Sequence, residues 1–411
     1  MSRIDDLIRD LCPDGVEYKT LGEVGRLLGG LTGKTKADFV DGTARYVSYK
    51  NVYSNIEVDV TADDFVRISD SETQNALQIG DILFTGSSEN REEVGLTSVV
   101  TSLPPQPLYL NSFCICFRPN ENFVLLPEFA KHLFRSSTIR HQVIKTATGV
   151  TRINISRKNL AKTKVPLPPA EVQQEVARIL DRFTQLEADL EAELEARQQQ
   201  YSHYRNILVA PRYPKESVKL GEVSHIARGA SPRPIRKFIT NEEGMPWIKI
   251  GDVPPQGKYV TTTAQHISTD GVDKSRQIKP GDFILSNSMS FGRPYISKIN
   301  GCIHDGWLVI ANYEKTFDPD FLYHVLRSSP IQNGFAQRAG SGTVRNLNSK
   351  IVSDTLVPAP PIDQQREIVH LLDKFDLLVN DLSSGLPAEI EARCKQYEYY
   401  RDRLLTFPEK K

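Results

Sequence analysis

The sequence has few cysteines, no long apolar run and no excess of charge. Its five cysteines are odd in number and scattered, so no disulfide framework is expected and a reducing compartment fits. No apolar stretch approaches the ~18 residues of a membrane span, and Asp5, Asp6 and Arg9 stand where a secretory signal would be apolar. Lys plus Arg equals Asp plus Glu at 51 each, which excludes a uniformly basic nucleic-acid binder but not a basic face. We expect a soluble, cytoplasmic protein without a membrane partner.

Patterns that carry catalysis or bind metals are also missing. Gly33-Lys34-Thr35 resembles the end of a phosphate-binding loop, but Leu28 stands where that loop requires its first glycine. The eight histidines contain no pair at metal-ligand spacing. None of the Pro-Pro pairs precedes an aromatic residue, as the base-binding motif of an adenine methyltransferase requires. We therefore expect a protein that is not an enzyme, with no catalytic, cofactor-binding or metal-binding residues.

What the chain does contain is an internal repeat of roughly 195 residues. The segment Val165–Pro169 (Val-Pro-Leu-Pro-Pro) recurs as Val357–Pro361 (Val-Pro-Ala-Pro-Pro), an offset of 192. Further matches pair Leu21–Val24 with Leu220–Val223, Gly80–Asp81 with Gly281–Asp282, and Asp181 with Asp373. The chain is predicted to be a tandem duplication with pseudo-twofold symmetry.

Each copy consists of a front followed by a helical tail. Front 1 is residues 1–165, tail 1 is 166–209, front 2 is 210–357 and tail 2 is 358–411. The fronts hold short β-branched and aromatic runs, which predict strands near 45–49, 81–84, 111–117, 283–285 and 307–311. Helices are predicted at 127–134 and 319–326, where a proline occupies the first turn. The fronts are thus predicted to be α/β domains.

The tails carry a heptad pattern. In tail 1, apolar or aromatic residues fill eight of ten seam positions. The seam is Val176, Leu180, Phe183, Glu187, Leu190, Leu194, Arg197, Tyr201, Tyr204 and Leu208. A helix of ~40 residues is ~60 Å long, and we expect the two tails to pair. Tail 2 has four extra residues near Gly385 and Pro387, which are compatible with a stutter in one helix or with a break between two helices.

Charge is segregated between fronts and tails. Residues 170–205 carry eight acidic and four basic side chains. In contrast, Lys131–Lys164 holds nine Lys or Arg and no acid, and Phe321–Ser353 holds four and no acid. A neutral DNA-binding chain is expected to concentrate its cations in this way, because phosphate contacts dominate affinity. The matched segments Gly149–Asn154 and Gly342–Leu347 are predicted contact loops.

Taken together, these motifs resemble the specificity subunit of type I restriction–modification systems over essentially the whole chain. The resemblance rests on Cys12–Lys19, the two Pro-x-Pro-Pro segments before the tails, and the Gln-Tyr…Tyr-Arg ends at Gln200–Arg205 and Gln396–Arg401. It implies an α+β fold in which two α/β target-recognition domains are joined by two long antiparallel coiled-coil helices. It also implies that each domain reads one half of a bipartite, asymmetric double-stranded DNA site, with the helices setting the spacing.

The resemblance further implies two methyltransferase subunits as partners, with restriction subunits in the full complex. S-adenosylmethionine, ATP and Mg²⁺ are expected on those partners. The predicted DNA contacts are Lys34, Lys50, Arg91, Arg152, Arg157, Arg233, Arg236, Lys249, Asn287, Arg293 and Arg345. The predicted partner-docking residues are Tyr201, Tyr204, Tyr397 and Tyr400. Two other classes stay open at this point, a stand-alone fused methyltransferase and a scaffold that binds only protein.

Overall fold

The chain forms two compact units in a computed structural model. The structure describes residues 3–69, 71–211, 216–240, 243–253, 257–288, 291–340, 346–381 and 383–410. Unit 1 comprises Met1–Asp189 and Glu391–Lys411, and unit 2 comprises Leu190–Ile390. Each unit therefore combines one front with part of each tail.

The helices are short in the fronts and long in the tails. They are α1 (Arg3–Leu11), α2 (Leu21–Val24), α3 (Tyr49–Ser54), α4 (Pro127–Leu133), α5 (Ser137–Lys145), α6 (Arg157–Leu160), α7 (Ala170–Leu208), α8 (Leu220–Val223), α9 (Thr269–Val272), α10 (Pro319–Arg327), α11 (Ser329–Arg338), α12 (Ser349–Ser353), α13 (Ile362–Asn380) and α14 (Leu386–Leu404).

The strands are all short. Unit 1 holds β1 (Tyr18–Thr20), β2 (Gly25–Gly29), β3 (Ala44–Val47), β4 (Phe65–Val66), β5 (Ile82–Thr85), β6 (Ser87–Ser88), β7 (Thr97–Val99), β8 (Leu108–Leu110), β9 (Cys114–Pro119), β10 (Ala147–Thr148), β11 (Ile153–Ile155) and β12 (Lys164–Pro166). Unit 2 holds β13 (Ser217–Lys219), β14 (His225–Arg228), β15 (Ile239–Thr240), β16 (Met245–Ile248), β17 (Tyr259–Val260), β18 (Gln265–Ile267), β19 (Arg276–Ile278), β20 (Phe283–Ser286), β21 (Pro294–Ser297), β22 (Gly301–Ile303), β23 (Trp307–Ala311) and β24 (Leu356–Pro358).

The two fronts share one sheet plan. Unit 1 has an antiparallel sheet in the order β2-β9-β5-β7, and unit 2 has β14-β23-β20-β21-β17 with the antiparallel pairs in the same order. A second sheet contains one parallel pair in each unit, β3 with β8 and β16 with β22. The first and last strands of each front also pair, as β1 with β12 and β13 with β24. This shared topology supports the predicted tandem repeat, and the α+β fold class is confirmed.

Most of the predicted front elements form close to the predicted positions. The strand predicted at 307–311 is β23, and those predicted at 81–84 and 283–285 are β5 and β20 within one residue at either end. Pro127 and Pro319 each begin a helix, because a residue in the first helical turn needs no amide donor. Inward-facing side chains such as Phe84, Phe117 and Leu308 are fully buried, which is why these short strands hold.

Helix α7 begins directly after Pro168-Pro169 and runs for 39 residues. Within unit 1, its Phe183 ring stacks on Tyr400 of α14 at 5.3 Å, and Cys394 of α14 donates a hydrogen bond to Glu187. From Phe183 to Glu187 the contacts advance along α7, while their partners on α14 go back from Tyr400 to Cys394. The two helices therefore run antiparallel. Within unit 2, the ring of Tyr204 stacks on Phe375 of α13 at 5.7 Å. The predicted pairing of the tails is therefore present inside each unit.

Tail 2 consists of two helices. Helix α13 ends at Asn380 and α14 begins at Leu386. A Cβ on Gly385 would lie 2.6 Å from the carbonyl oxygen of Leu377, so the turn packs directly on the last turn of α13. Pro387 then occupies the first turn of α14, where it is tolerated. The sequence left a stutter and a break open, and the structure contains the break.

Candidate nucleic-acid interface

A cleft of about 1410 Å³ opens in the front of unit 2. Three of the predicted DNA contacts, Arg233, Arg236 and Lys249, line it. Its floor is apolar, with Trp247 almost fully buried beside Ile235, Ile239 and Ile250. Both arginines are exposed, and Arg233 keeps 85% of its side-chain surface. The cleft therefore combines cations that reach solvent with a flat apolar surface, which suits a polyanion that carries planar bases.

Polar groups that also line this cleft are held in defined states, and one of them, Asp305, lies 3.8 Å from the Arg233 guanidinium. Asp305 accepts a hydrogen bond from Ser231 at 2.8 Å, and this bond lowers the pKa of the Asp305 carboxyl below its ordinary value. Burial lowers the pKa of His304, whose Nδ1 accepts the amide of Gly306 at 2.8 Å. At neutral pH the wall thus presents an ionised carboxylate and a neutral imidazole. Lys249 donates to Gln265 at 2.9 Å, which leaves the amide NH₂ of that glutamine as a further donor.

In unit 1, Arg152 and Arg157 line neighbouring clefts that share Ser87 and Phe113. The first cleft measures about 680 Å³ and the second about 350 Å³. The Arg152 guanidinium lies 5.2 Å from the centre of the Phe113 ring and donates to Ser87 at 3.3 Å. Phe113 is itself 55% exposed. Glu89 and Glu93 also line the first cleft, so its two acidic side chains outnumber Arg152, whereas basic side chains outnumber acidic ones in the cleft of unit 2.

Matched glycines position the turns that carry these side chains. A Cβ on Gly30 would lie 2.1 Å from the carbonyl oxygen of Asn111, and a Cβ on Gly229 would lie 2.0 Å from that of His304. Only glycine permits this close approach of two backbones. The Asn111 turn carries Phe113, whose amide donates to the Asn111 side chain at 2.9 Å. Both units thus hold this turn against the end of the second strand of the front, which is β2 in unit 1 and β14 in unit 2.

Lys34 does not face the clefts. Its ammonium donates to the carbonyl oxygen of Arg67 at 2.6 Å and forms an ion pair with Glu72. Only 6% of the Lys34 side chain is exposed, and the hydrogen bond from Lys34 contributes most to lowering the pKa of Glu72 to about 2. The prediction of Lys34 as a DNA contact is wrong, because the loop folds its cation back onto the front. Loop position and charge alone do not reveal this pairing, because Glu72 is distant from Lys34 in the sequence.

Asn287 is also internal, which corrects its prediction as a DNA contact. It is 3% exposed and donates from its side chain to the carbonyl oxygen of Asp305 at 2.9 Å, so it holds the wall of the unit 2 cleft from behind. Arg293 is half-buried, and its guanidinium lies 5.4 Å from the centre of the Tyr295 ring. Its Nε and Nη2 have no hydrogen-bond partner among the described residues. DNA contact by Arg293 stays a prediction.

The three other predicted contacts lie apart from the clefts or outside the described residues. Lys50 is exposed on α3. Arg91 is exposed and donates to the carbonyl oxygen of Ala147 at 3.3 Å. Arg345 lies outside the described residues. Of the eleven predicted contacts, the structure therefore gathers Arg152 with Arg157 in unit 1, and Arg233 with Arg236 and Lys249 in unit 2.

The four predicted docking tyrosines divide into two groups. Tyr201 is 3% exposed and Tyr397 is 9% exposed, and the hydroxyl of each is hydrogen-bonded inside its own unit. Their burial corrects the expectation that they present a surface to a partner. Tyr204 is 41% exposed and Tyr400 is half-buried, so partner docking stays a prediction for these two.

Several residues of these surfaces were not anticipated from the sequence. Phe113, Trp247 and His304 line the clefts, and nothing local distinguishes them from ordinary core or loop residues. Two histidines were also missed, although a signal was available. The offset of 192 that aligns Asp181 with Asp373 also aligns His132 with His324, and both histidines are fully buried.

The described residues offer neither a metal-binding cluster nor a membrane-spanning helix. They contain no group of three or more His, Cys, Asp or Glu side chains that could hold a metal ion. No helix in the described part of the chain is both long and apolar enough to cross a membrane.

Two topologically equivalent α/β units, each with arginines around an exposed cleft and each docked on long helices, define a duplicated recognition protein. The family model "Type I restriction modification DNA specificity domain" matches this chain twice, at residues 13–196 and 214–392. The chain belongs to this family of type I restriction–modification specificity subunits.

Relatives agree with this assignment, and solved structures share the fold. The specificity subunit of the Escherichia coli enzyme EcoR124I/EcoR124II is 32% identical over 265 residues, which span 61% of this chain and 65% of that relative. A Haemophilus influenzae protein named as a type I restriction enzyme specificity subunit is 26% identical and covers 95% of this chain and 96% of its own length. A chain from a structural study of type I complex assembly shares the fold at a TM-score of 0.66 with 20% identity, covering 95% of this chain and 97% of that one. The HsdS subunit from Thermoanaerobacter tengcongensis aligns at a TM-score of 0.50 with 21% identity, covering 96% and 97%.

Proposed function

We propose that this chain selects the DNA sequence on which a type I restriction–modification complex acts. Each unit reads one half of a bipartite site in double-stranded DNA through its front. The observation that carries the proposal is the cleft of unit 2, where Arg233, Arg236 and Lys249 surround an apolar floor. Arginine can bind a phosphate or both acceptors of a guanine edge, so these side chains suit both positioning and base reading.

The two half-sites are expected to differ. Unit 1 offers Arg152 stacked on Phe113 with Glu89 nearby, whereas unit 2 offers a larger cleft walled by His304 and Asp305. Surfaces with different donors and acceptors recognise different base edges. The DNA target is therefore proposed to be asymmetric.

The tails are proposed to set the distance between the half-sites and to dock two methyltransferase subunits. Helix α7 contributes residues to both units, and a continuous helix has a fixed rise per residue that a flexible linker lacks. The tail helices also expose large apolar side chains, which favour a protein partner over solvent. These are Leu186, Tyr204, Ile207, Leu371, Leu377, Leu378 and Tyr399.

Catalysis is proposed to reside on the partner subunits. S-adenosylmethionine, ATP and Mg²⁺ would bind to the methyltransferase and restriction subunits, and this chain would supply specificity alone. Restriction subunits would join the complex that this chain forms with the two methyltransferase subunits. Double-stranded DNA is the one ligand proposed for the chain itself.

The first test maps DNA methylation in cells that contain the cognate methyltransferase subunit, with and without this chain. We expect a two-part, asymmetric methylated motif only when the chain is present. A gel shift on that motif then compares Arg236→Ala with Lys237→Ala, whose exposed side chain carries the same charge but does not line the cleft. Arg236→Ala should weaken binding by about tenfold to a hundredfold, and Lys237→Ala by less than about threefold.

Other outcomes distinguish the remaining classes. Methyl transfer by the purified chain alone would identify it as a fused methyltransferase. Assembly with the methyltransferase but no gel shift at any sequence would identify a protein-only scaffold. Equal loss of binding in Arg236→Ala and Lys237→Ala would mean that the cleft of unit 2 has no special part in recognition.

A further inference from the structure

A buried histidine in each unit connects the front to both tails at once. In unit 1, His132 lies on α4 and is fully buried. Its Nδ1 is 2.8 Å from the hydroxyl of Tyr397 on α14, and its Nε2 is 2.8 Å from the carboxylate of Asp181 on α7. Three helices therefore meet at one imidazole ring. We call His132, Asp181 and Tyr397 the unit 1 joint.

The same three residue types meet in unit 2. There His324 lies on α10, with its Nδ1 3.3 Å from the hydroxyl of Tyr201 on α7 and its Nε2 3.3 Å from Asp373 on α13. Tyr201 also donates to Asp376 at 2.9 Å. We call His324, Asp373 and Tyr201 the unit 2 joint. In both joints the aspartate comes from the tail of the same repeat, and the tyrosine comes from the tail of the other repeat.

The chemistry of the ring makes each joint specific for one arrangement. Burial lowers the pKa of both histidines, so at neutral pH the imidazole has one N–H donor and one acceptor. In unit 1 the carboxylate takes the N–H from Nε2, and Nδ1 is then left to accept the hydroxyl of Tyr397. In unit 2 the hydroxyl proton of Tyr201 goes to Asp376, and its oxygen lies 3.3 Å from Nδ1 of His324. If either tail shifted, a buried polar group would lose its partner, which costs far more than an exposed hydrogen bond.

A second duplicated contact holds the same front helix at its beginning. The fully buried Gln173 of α7 accepts the amide of Leu126 at 2.9 Å and donates to the carbonyl oxygens of Val124 and Pro168 at 2.9 and 2.8 Å. In unit 2, Gln365 of α13 makes the same three contacts. These are with the Asp318 amide at 2.8 Å, Thr316 at 2.9 Å and Pro360 at 2.7 Å.

A third contact holds the front helix that follows. Asp402 of α14 accepts the amide of Ser137 at 3.0 Å, and Asn206 of α7 accepts the amide of Ser329 at 2.9 Å. Both acceptors belong to the tail of the other repeat, as the tyrosines do. Each front is thus held on its tails at three points, and every point forms twice.

From this repeated geometry we infer that Tyr201 and Tyr397 are positioning residues for site selection. They fix the angle at which each front sits on its tails, and thereby the number of base pairs allowed between the two half-sites. The inference rests on the proposed function. Successive base pairs are about 3.4 Å apart along the duplex, so even a small pivot of a front on its tails moves its reading loops by one base-pair step.

The test uses the whole chain assembled with its methyltransferase subunit. Binding is measured on a series of duplexes that carry the two mapped half-sites with the spacer shortened or lengthened one base pair at a time. Tyr397→Phe removes only the hydroxyl that His132 accepts. Tyr201→Phe removes the hydroxyl that donates to Asp376 and contacts Nδ1 of His324. We expect each variant to keep its affinity for the separate half-sites. The ratio of its affinity for the native spacer to its affinity for the altered spacers should fall by about threefold to tenfold.

The control is Tyr109→Phe, which removes a hydroxyl from a half-buried side chain of β8 that lies outside the tails and lines neither cleft of unit 1. It should keep the spacer preference of the unmodified chain. If Tyr397→Phe fails to fold, Tyr201→Phe performs the same test through a longer contact, and thermal unfolding shows which variants are intact. Folded variants with an unchanged spacer preference overturn the inference. An unmodified chain that binds no duplex of the series overturns the proposed function instead.

Discussion

Two buried aspartates at matched turns, Asp81 in unit 1 and Asp282 in unit 2, have different partners. Each follows a glycine with positive φ, and each accepts the amide of the residue three positions earlier, at 2.8 and 2.9 Å. Asp81 also receives two hydrogen bonds from Arg118, one of them at 2.7 Å. Among the described residues of unit 2, no lysine or arginine forms an ion pair with Asp282 as Arg118 does with Asp81. The Oδ1 of Asp282 has no partner among the described residues, and burial raises the pKa of this carboxyl.

A second matched pair shows the same difference. Arg401 in unit 1 donates to Asp402 at 2.9 Å, whereas Arg205 in unit 2 is followed by the neutral Asn206. The Nε of Arg205 is buried without a hydrogen-bond partner among the described residues. Both Asp402 and Asn206 still accept the amide at the start of the next front helix. Both copies therefore keep the hydrogen bonds that shape the backbone. The ion pairs of Asp81 and Asp402 in unit 1 have no counterpart at the matched described residues of unit 2.

The largest expected effect comes from neutralising the aspartate of unit 1. Asp81→Asn leaves the Arg118 guanidinium, whose side chain is only 13% exposed, without its carboxylate. We expect a loss of about 3 kcal/mol in the free energy of unfolding, measured by urea denaturation, with hydrogen exchange assigning the loss to unit 1.

The matched variant Asp282→Asn removes a buried charge that forms no ion pair among the described residues. We expect a change of less than about 1 kcal/mol, in the stabilising direction. Losses of similar size in Asp81→Asn and Asp282→Asn would contradict the asymmetry between the two turns.

An intermediate effect is expected from pH, and here the two units should respond alike. Burial lowers the pKa of His132 and of His324 below the ordinary 6.5. The unfolded chain then binds these protons more readily than the folded chain, so stability is complete above about pH 6.5 and falls as the pH drops below it. The charged and titratable groups that face the two rings are Asp181, Lys131, Tyr397 and Arg401 in unit 1, and Asp373, Asp376, Lys258 and Tyr201 in unit 2.

The measurement is the urea midpoint of the chain between about pH 7.5 and about pH 5.5, with NMR titration of the two imidazole rings. We expect the midpoint to fall with pH and both rings to titrate below 6.5. An imidazole that titrates above that value would mean that the aspartate, and not burial, dominates its joint.

The smallest expected effect restores the missing charge partner in unit 2. Asn206→Asp places a carboxylate beside Arg205, as Asp402 stands beside Arg401. It should stabilise the chain by about 0.5–1 kcal/mol, because the amide of Ser329 keeps its acceptor. Asp402→Asn should have the opposite effect and destabilise unit 1. Equal stability of both variants and the unmodified chain would contradict the comparison of Arg205 with Arg401.

The internal repeat made the fold predictable from the sequence. The contacts of individual polar side chains were not predictable in the same way. The heptads predicted α7, and the paired motifs predicted two equivalent fronts, because periodicity and duplication are visible in one dimension. The same reasoning placed Lys34 and Asn287 on the surface, yet Lys34 pairs with Glu72 and Asn287 bonds to the backbone of Asp305. Glu72 is 38 positions from Lys34, and no local pattern announces such a pair.

The amino-acid sequence by itself determined the α+β class, the tandem repeat and the helical tails, since hydrophobic spacing and proline positions act through local geometry. Tertiary structure alone decided which cations reach solvent, where tail 2 breaks, and that Tyr201 and Tyr397 are internal. Those outcomes depend on groups brought together from distant positions, such as His132 with Tyr397. Whether a polar side chain is buried or exposed is settled by the partner that it meets.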